Sequence, residues 1–355
     1  MKIFRHIEDQ ELSTSGTVAT MGNFDGIHLG HQTLVRNTVE ESKRLGYPST
    51  VLTFEPHPLK VLAPERAPSL ILSYEDKLAL LQSLGIDIVI AQRFDRQFAS
   101  IAADEFVRRF LVERLKIKKL WVGRDLRFGQ GRRGGTDDLL RLAADGGFEV
   151  GVLDPILLDG IRISSSRIRR LVEEGRVDEV RPMLGRYHFV SGRIVAGHRR
   201  GRDLGFPTAN IATQTEVVPL NGIYATLAQL KNRHLLSVSS IGTNPTFGDG
   251  PRTVESFILD FDGDVYGEGI KLSFVKRIRD EKKFVMVKDL VAQMHEDVKG
   301  ARAVFKELGL TDPEGPHSSS RPCENFPTLS SSLIRNKKRL PLRRRANWGS
   351  PSSPL

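Results

Sequence analysis

The sequence predicts an α/β chain with two folded parts: a parallel sheet carrying helices on both faces, then a small antiparallel β-barrel closed by a C-terminal helix. Three observations carry that prediction. Over residues 16–153 short apolar strands alternate with helical runs, which places consecutive strands parallel with helices crossing between them. Beyond residue 187 strand-like runs follow one another without helices, punctuated by Asn221-Gly222 and Asp262-Gly263 turn signals. The last periodic stretch, 288–308, puts Leu290, Val291, Met294, Val298, Phe305 and Leu308 on one helical stripe. A chain of 355 residues fits two cores, because single cores rarely grow past about 250 to 300 residues.

The first strand is read over 17–21. The helix behind it carries Leu34, Val35, Val39 and Leu45 and stops at Gly46, a glycine placed to cap it. A second strand over 51–54 ends in the rigid turn Glu55-Pro56-His57-Pro58. Ser73, with Asp76 three residues on, opens the next helix, whose Leu78, Leu81 and Leu84 lead to Gly85. A buried strand over 86–91 precedes a helix from about Ala102 with Phe106, Phe110, Leu111 and Leu115. Strands over 120–123 and 148–153 complete the sheet, with Thr136 read as an N-cap between them. In the second part the strands are read over 187–196, 222–230, 235–241, 254–261 and 270–274. The closing helix lacks a capping residue at Val285 and Met286, so its first turn is expected to fray.

Composition narrows the function classes. The hydrophobic fraction of 39% with 18 Phe supplies real cores. The single cysteine, Cys323, excludes an intrachain disulfide and a thiolate metal cage. No run approaches about 18 apolar residues and no secretory leader precedes the first strand, so no membrane span is expected and the cytoplasm is the default location. The net charge is +10, yet residues 311–355 hold eight Lys+Arg against three Asp+Glu, half of the excess. The rest of the surface is nearly balanced, with arginines bunched near glycines, which suits phosphate ligands better than a nucleic-acid duplex. That last segment is rich in Pro, Ser and Arg and reads as a disordered basic tail, whose Arg343-Arg344-Arg345 is the one place for a weak nucleic-acid contact.

The chain is organised around residues 19–31, A-T-M-G-N-F-D-G-I-H-L-G-H. His28 and His31, three apart around Gly30 and preceded by Gly22 and Gly26, form a tight turn at a helix mouth. Unpaired amides and the helix dipole favour an anion there, and glycine lets the backbone approach it. H-x-x-H alone would suit a metal pair or capping histidines equally well. The full string, with Gly22, Asn23, Phe24, Asp25 and Gly30, gives each residue type a task in holding nucleotide phosphates.

Two further stretches belong at the same end of the strands, where ligands of such sheets bind. In Gly123-Arg124-Asp125-Leu126-Arg127-Phe128-Gly129, Asp125 can hydrogen-bond a polar ring edge and Phe128 can pack beside it. A solvated loop is the plain alternative. Ser164, Ser165 and Ser166 open a helix, a position where serines are ordinary caps. Arg169, one turn along, adds a cation within reach of the same anion.

Together, G-x-F-D-G-x-H-x-G-H, T-F-x-P-H-P at residues 53–58, G-x-D-x-R-F-G and I-S-S-S-x-I-R resemble the adenylyltransferase half of bacterial bifunctional riboflavin kinase/FMN adenylyltransferases (FAD synthetases). The one departure is Ser166, where many members carry Thr. Over 187–308, G-F-P-T-A-N, P-x-N-G-I-Y, G-x-x-P-T-F-G and T-V-E-S-F-I-L-D-F-D-G-D-V-Y-G resemble the riboflavin kinase module of the same enzymes, in the same order.

The resemblance implies a Rossmann-like nucleotidyltransferase domain over 1–184, a riboflavin kinase barrel over 185–310 and a tail over 311–355. It implies two reactions, ATP-dependent phosphorylation of riboflavin to FMN and adenylylation of FMN to FAD with release of pyrophosphate. His28, His31 and Arg169 would act on the triphosphate, with Pro56 and Asp125 beside the flavin. Gly197, Gly205 and Pro207 would shape the second ATP loop, which is no Walker loop because it lacks G-K-[ST]. Thr208 and Asn210 offer hard oxygens to Mg2+, whose remaining shell would come from phosphates and water. Glu255, a carboxylate in a strand otherwise apolar, is a paired structural group on its own merits; the resemblance makes it the base for the riboflavin 5'-hydroxyl. Partners are then the small molecules riboflavin, FMN and ATP, with monomer and homo-oligomer both open. The rivals are another nucleotidyltransferase of the same sheet type, a flavin carrier without activity, and a basic nucleic-acid binder.

Overall fold

In a computed structural model, residues 1–197, 201, 204–243 and 252–310 are described. The basic tail, residues 198–200 and 202–203, and the G-x-x-P-T-F-G stretch from residue 244 on lie outside them.

The first part is a six-stranded, all-parallel sheet in the order β1-β4-β3-β2-β5-β6. Its strands are β1 (Lys2–Phe4), β2 (Thr17–Met21), β3 (Ser49–Glu55), β4 (Ile88–Arg93), β5 (Ile117–Gly123) and β6 (Glu149–Leu153). Neighbouring residues on β3 and β4 feed opposite layers: Leu52 and Ile90 join Phe106, Phe110 and Val122 on one face, while Val51 and Val89 join Phe24 and Val35 on the other. That two-sided burial is why these strands read as continuous apolar runs.

The helices are α1 (Leu29–Leu45), α2 (Pro58–Leu62), α3 (Tyr74–Ser83), α4 (Arg96–Ala99), α5 (Ala103–Phe106), α6 (Thr136–Gly146), α7 (Ser165–Glu173) and α8 (Val177–Leu184). Gly46 ends α1 in the left-handed region, its N–H returning to the Ser42 carbonyl. Ser73 caps α3 by accepting the Asp76 N–H. Thr136 is no cap: its hydroxyl donates to the Arg124 carbonyl, and the Asp138 carboxylate takes the Gly135 N–H instead. Past α5 the backbone loosens into a π-helical run over Val107–Arg114, a departure that a 3.6-residue reading of the phenylalanines does not register.

Three strands of this part carry no periodic signal. β1 has three residues and lies on the sheet edge beside β4, and β7 (Leu157–Leu158) with β8 (Ile161–Arg162) form a two-stranded hairpin.

The second part is a closed antiparallel barrel in the order β10-β13-β12-β11-β14-β9. It comprises β9 (His188–Val195), β10 (Thr208–Thr213), β11 (Gly222–Leu230), β12 (Arg233–Gly242), β13 (Thr253–Ile258) and β14 (Gly269–Arg279), followed by α9 (Val287–Glu307). β10 replaces what the sequence reads as loop chemistry, because Thr and Asn disguise its alternation. α9 starts at Met286 without a side-chain cap, as expected, and Val285 beside it is fully exposed. Its apolar stripe is only partly core: Phe305 is buried, whereas Leu290, Met294 and Val298 are half-buried and line a pocket against the barrel.

The barrel touches the sheet part through specific groups. Glu216 accepts the Leu70 N–H at 2.8 Å and pairs with Lys60, and the Val217 N–H donates to the Leu70 carbonyl at 3.1 Å. Ser191 donates to Asp76 at 2.9 Å.

Candidate functional sites

A cleft of about 830 Å³ opens at the carboxyl ends of the parallel strands. The segment after β2 runs along it and enters α1. His28 is the N-cap of α1, its Nδ1 accepting the His31 N–H at 3.4 Å. In the neutral ring Nε2 therefore carries the proton and is its donor. The two rings stack with centroids 3.7 Å apart, and His31 Nδ1 is buried with no hydrogen-bond partner. Gly30 makes the stack possible, since a Cβ there would stand 3.1 Å from the His28 ring.

Burial pushes the His28 pKa down to about 4 and that of His31 well below its usual value, the latter helped by His28 itself. Both rings are thus neutral donors near pH 7. Among the described residues, the His28 N–H has no acceptor within the protein, so the helix mouth keeps an open amide for an anion.

The remaining first-cleft residues show a more crowded arrangement than spacing suggested. Asp25 is buried at the cleft wall with both carboxylate oxygens engaged: one accepts the Ile71 N–H, the other accepts from Arg169 at 2.9 Å. Burial raises its pKa and Arg169 opposes that rise. Arg169 also donates through Nε to the Ser69 carbonyl, so its guanidinium is held in place at the cleft wall.

Ser164 caps α7, and Ser165 donates to the Asp25 carbonyl at 2.8 Å; both line the cleft with Ser166, Gly22, Asn23 and Phe24. Phe24 is fully buried with φ of +51°, its ring 5.2 Å from His31, so it shapes the turn from beneath. Asn23 lies 3.1 Å from His57 Nε2. Because His57 Nδ1 accepts the Leu59 N–H, Nε2 bears the proton and the amide oxygen of Asn23 is the atom that faces it.

The flavin-side expectations shift. Pro56 is exposed and stands outside the cleft wall, which Phe54, Phe94 and Phe98 form instead. Those rings pack at 5.6 to 6.1 Å, and because Phe94 and Phe98 come from a different strand end than Phe54, no local pattern announces the wall. Asp125 lines the cleft and its carboxylate is engaged by Arg162 from β8, a pairing between the loop after β5 and the hairpin that the sequence did not reveal.

The second site, about 170 Å³, lies between the barrel wall and α9. Val254, Ser256 and Ile258 point into the barrel, which leaves Thr253, Glu255 and Phe257 on its outer face. Glu255 is thus no buried core carboxylate; it opens into the pocket. Asn210 is its partner across β10–β13, and the Thr208 hydroxyl donates to it at 3.2 Å. Three hard-oxygen side chains therefore converge, a donor set that suits a Mg2+ completed by phosphate and water oxygens. Gly197, Gly205 and Pro207 do not line this pocket, whereas Gly201 of the same loop does. Gly197 lies under Asn210, where a Cβ would fall 2.1 Å from the side-chain amide nitrogen. Gly205 has φ of +83° and is exposed, as is Pro207.

Sequence reading missed what ties α9 down. Arg279 Nε and Nη2 meet the two Asp297 oxygens at 2.7 and 2.6 Å, and Gln293 donates to the same carboxylate at 3.0 Å. Both ions are largely buried. Asp297→Ala leaves the guanidinium without its counter-charge, and urea unfolding is expected to show a loss of about 3 kcal/mol. Gln293→Ala, which removes one hydrogen bond, should cost about 1 kcal/mol.

A buried histidine gives the fold an acid limit. His188, 1% exposed, is bonded to the Val217 carbonyl, and burial holds its pKa at about 4. Between about pH 6.5 and 4 the unfolded chain binds the proton that the folded chain refuses, so stability is complete above that window and declines as pH falls through it. The loss from this residue is about 3 kcal/mol. Urea midpoints at pH 7 and 4.5 should differ less in His188→Gln than in the unaltered protein.

Among the described residues no helix is long and apolar enough to cross a membrane, and no cluster of three or more His, Cys, Asp or Glu could hold a metal.

Comparison with known proteins follows the same two-part division. Residues 10–167 match the family model for FAD synthetase, and residues 184–305 match that for riboflavin kinase. The chain is 37% identical over 315 residues to the bifunctional riboflavin kinase/FMN adenylyltransferase of Escherichia coli strain K12, covering 88% of this chain and all of that one. The protein of that name from Haemophilus influenzae is 35% identical, over 86% of this chain and 99% of its own length. Listeria monocytogenes has one that is 36% identical, over 85% and 96%. A crystal structure from Streptococcus pneumoniae, described as a macrolide-efflux protein, superposes with a TM-score of 0.76 at 31% identity, over 84% of this chain and 98% of that one.

Proposed function

From the premise that the chain belongs to the bifunctional riboflavin kinase/FMN adenylyltransferase family, we propose which residues carry its two reactions. The protein phosphorylates riboflavin to FMN with ATP and adenylylates FMN to FAD with release of pyrophosphate. We divide this labour near Leu184, with adenylylation in 1–184 and phosphorylation in 185–310. The observation that carries the first assignment is the neutral, stacked histidine pair beside an open amide at the mouth of α1.

In the cleft, the polyphosphate of ATP would lie against His28, His31, the α1 amides and the α7 serines. The FMN phosphate then attacks the α-phosphorus, the bond to the β-phosphate oxygen breaks, and pyrophosphate leaves. No residue needs to form a covalent intermediate. The protein's part is to hold the phosphates in line and to donate hydrogen bonds where negative charge grows. Asp25 positions Arg169 for that task and does not itself bind the anion. The wall of Phe54, Phe94 and Phe98 supplies an apolar face of the size a flavin ring system requires.

At the barrel, Glu255 would take the proton of the riboflavin 5'-hydroxyl as that oxygen attacks the γ-phosphorus of ATP. Thr208 and Asn210 would hold Mg2+, which when bound screens phosphate charge. The half-buried stripe of α9 would cover the substrate from outside.

Riboflavin, ATP and Mg2+ followed by chromatography test the scheme: FMN should rise first and FAD should follow at its expense. FAD appearing with no FMN in advance would overturn the order of steps. The cytoplasm is part of the same reading, since both substrates are soluble nucleotides or their precursors.

A further inference from the structure

We propose that Arg186, a residue of the barrel part, is a positioning residue for adenylylation, because it holds the two carbonyls that aim the anion-binding turn. This rests on the assignment of adenylylation to the first cleft.

The turn between β2 and α1 is strained. Phe24, Gly26 and Ile27 take φ of +51°, +79° and +37°, and a β-branched residue such as Ile27 adopts that region only when its surroundings enforce it. Arg186 supplies the enforcement. Its Nη2 donates to the Gly26 carbonyl at 2.7 Å, and its Nη1 donates to the Ile27 carbonyl at 3.1 Å and the Leu184 carbonyl at 3.3 Å. Gln32 on α1 adds a second donor to Ile27 at 2.9 Å and to Leu184 at 2.7 Å. The guanidinium packs 5.7 Å from the Phe189 ring on β9.

In a trans peptide the N–H points opposite to the carbonyl it follows. Fixing the carbonyls of Gly26 and Ile27 toward Arg186 therefore turns the N–H groups of Ile27 and His28 away from it: the first closes the turn at Asp25-Gly26, and the second is the amide without an acceptor inside the protein. A fork with several donors can fix both peptide planes at once; a lysine cannot reproduce that geometry. Without Arg186 the carbonyl dipoles are free to rotate toward the phosphates and repel them. Arg186 is not among the described residues that line the second pocket.

The test uses the full chain and measures FMN adenylylation and riboflavin phosphorylation on the same preparation, with thermal unfolding alongside. Arg186→Met is expected to lower kcat for adenylylation by about 30-fold while KM for ATP changes less than about threefold, since misplaced donors cost most in the transition state. Riboflavin phosphorylation should stay within about twofold and the unfolding temperature within about 3 °C. Guanidinium ion added to Arg186→Ala should restore adenylylation, whereas methylammonium should not. Adenylylation by Arg186→Met within about threefold of the parent, parallel loss of both activities, or equal rescue by the two cations overturns the inference. If the Arg186 variants fail to fold, Gln32→Met decides: a drop of about fivefold confined to adenylylation supports it, and no drop overturns it. Failure of the unaltered protein to make FAD would instead overturn the assignment beneath it.

Discussion

Replacing His28 is expected to slow FMN adenylylation by about two orders of magnitude, a barrier increase of about 3 kcal/mol, as for a lost donor at a developing oxyanion. His28→Asn is the sharper variant because asparagine keeps an N-cap acceptor for α1. It thereby separates the loss of the Nε2 donor from the loss of helix stability, which His28→Ala combines. Riboflavin phosphorylation by the same molecules should keep its rate, since its pocket is lined by barrel strands and α9 and does not include His28. Steady-state rates with FMN or riboflavin as the sole flavin check both halves of this statement. Equal loss of the two activities would show that the labour is not divided near Leu184.

Glu255→Gln should do the reverse. The substitution keeps size and hydrogen bonding on the outer face of β13 but removes the basic oxygen, and general-base loss costs roughly 10² to 10⁴-fold. Phosphorylation of riboflavin should fall by that amount, while FMN supplied from outside is still converted to FAD. Thr208, 3.2 Å from the carboxylate, retains its partner in this variant, so a structural role for Glu255 predicts little change. Phosphorylation within about threefold of the parent would remove Glu255 from the chemistry.

The fold was legible where burial is two-sided or strictly alternating, as in β3, β4 and β11, because water exclusion writes itself directly into the apolar pattern. It was illegible where pairing alone makes the strand: β1 has three residues, and β7 and β8 have two each. The phosphate turn was legible because glycine and histidine at fixed spacing have few other uses. Its supports were not, for Arg169 finds Asp25 144 residues away and no local pattern encodes such a meeting. The face that Glu255 occupies was hidden for a different reason. T-V-E-S-F-I does alternate, but Phe257 on the outer face and Ser256 on the inner one invert the usual polarity, and only the pocket under α9 explains the inversion. Likewise, no local pattern shows that Asp125 at the cleft pairs with Arg162 of β8.

The brace at Arg186 also imposes an order on maturation. Synthesis proceeds from the N-terminus, so the turn at Gly26 leaves the ribosome 160 residues ahead of the guanidinium that fixes it. The parallel sheet can close around β2 while that loop is still unconstrained, and the adenylylating cleft reaches its working shape only as β9 docks. The nascent chain therefore cannot adenylylate until the start of its second part has left the ribosome.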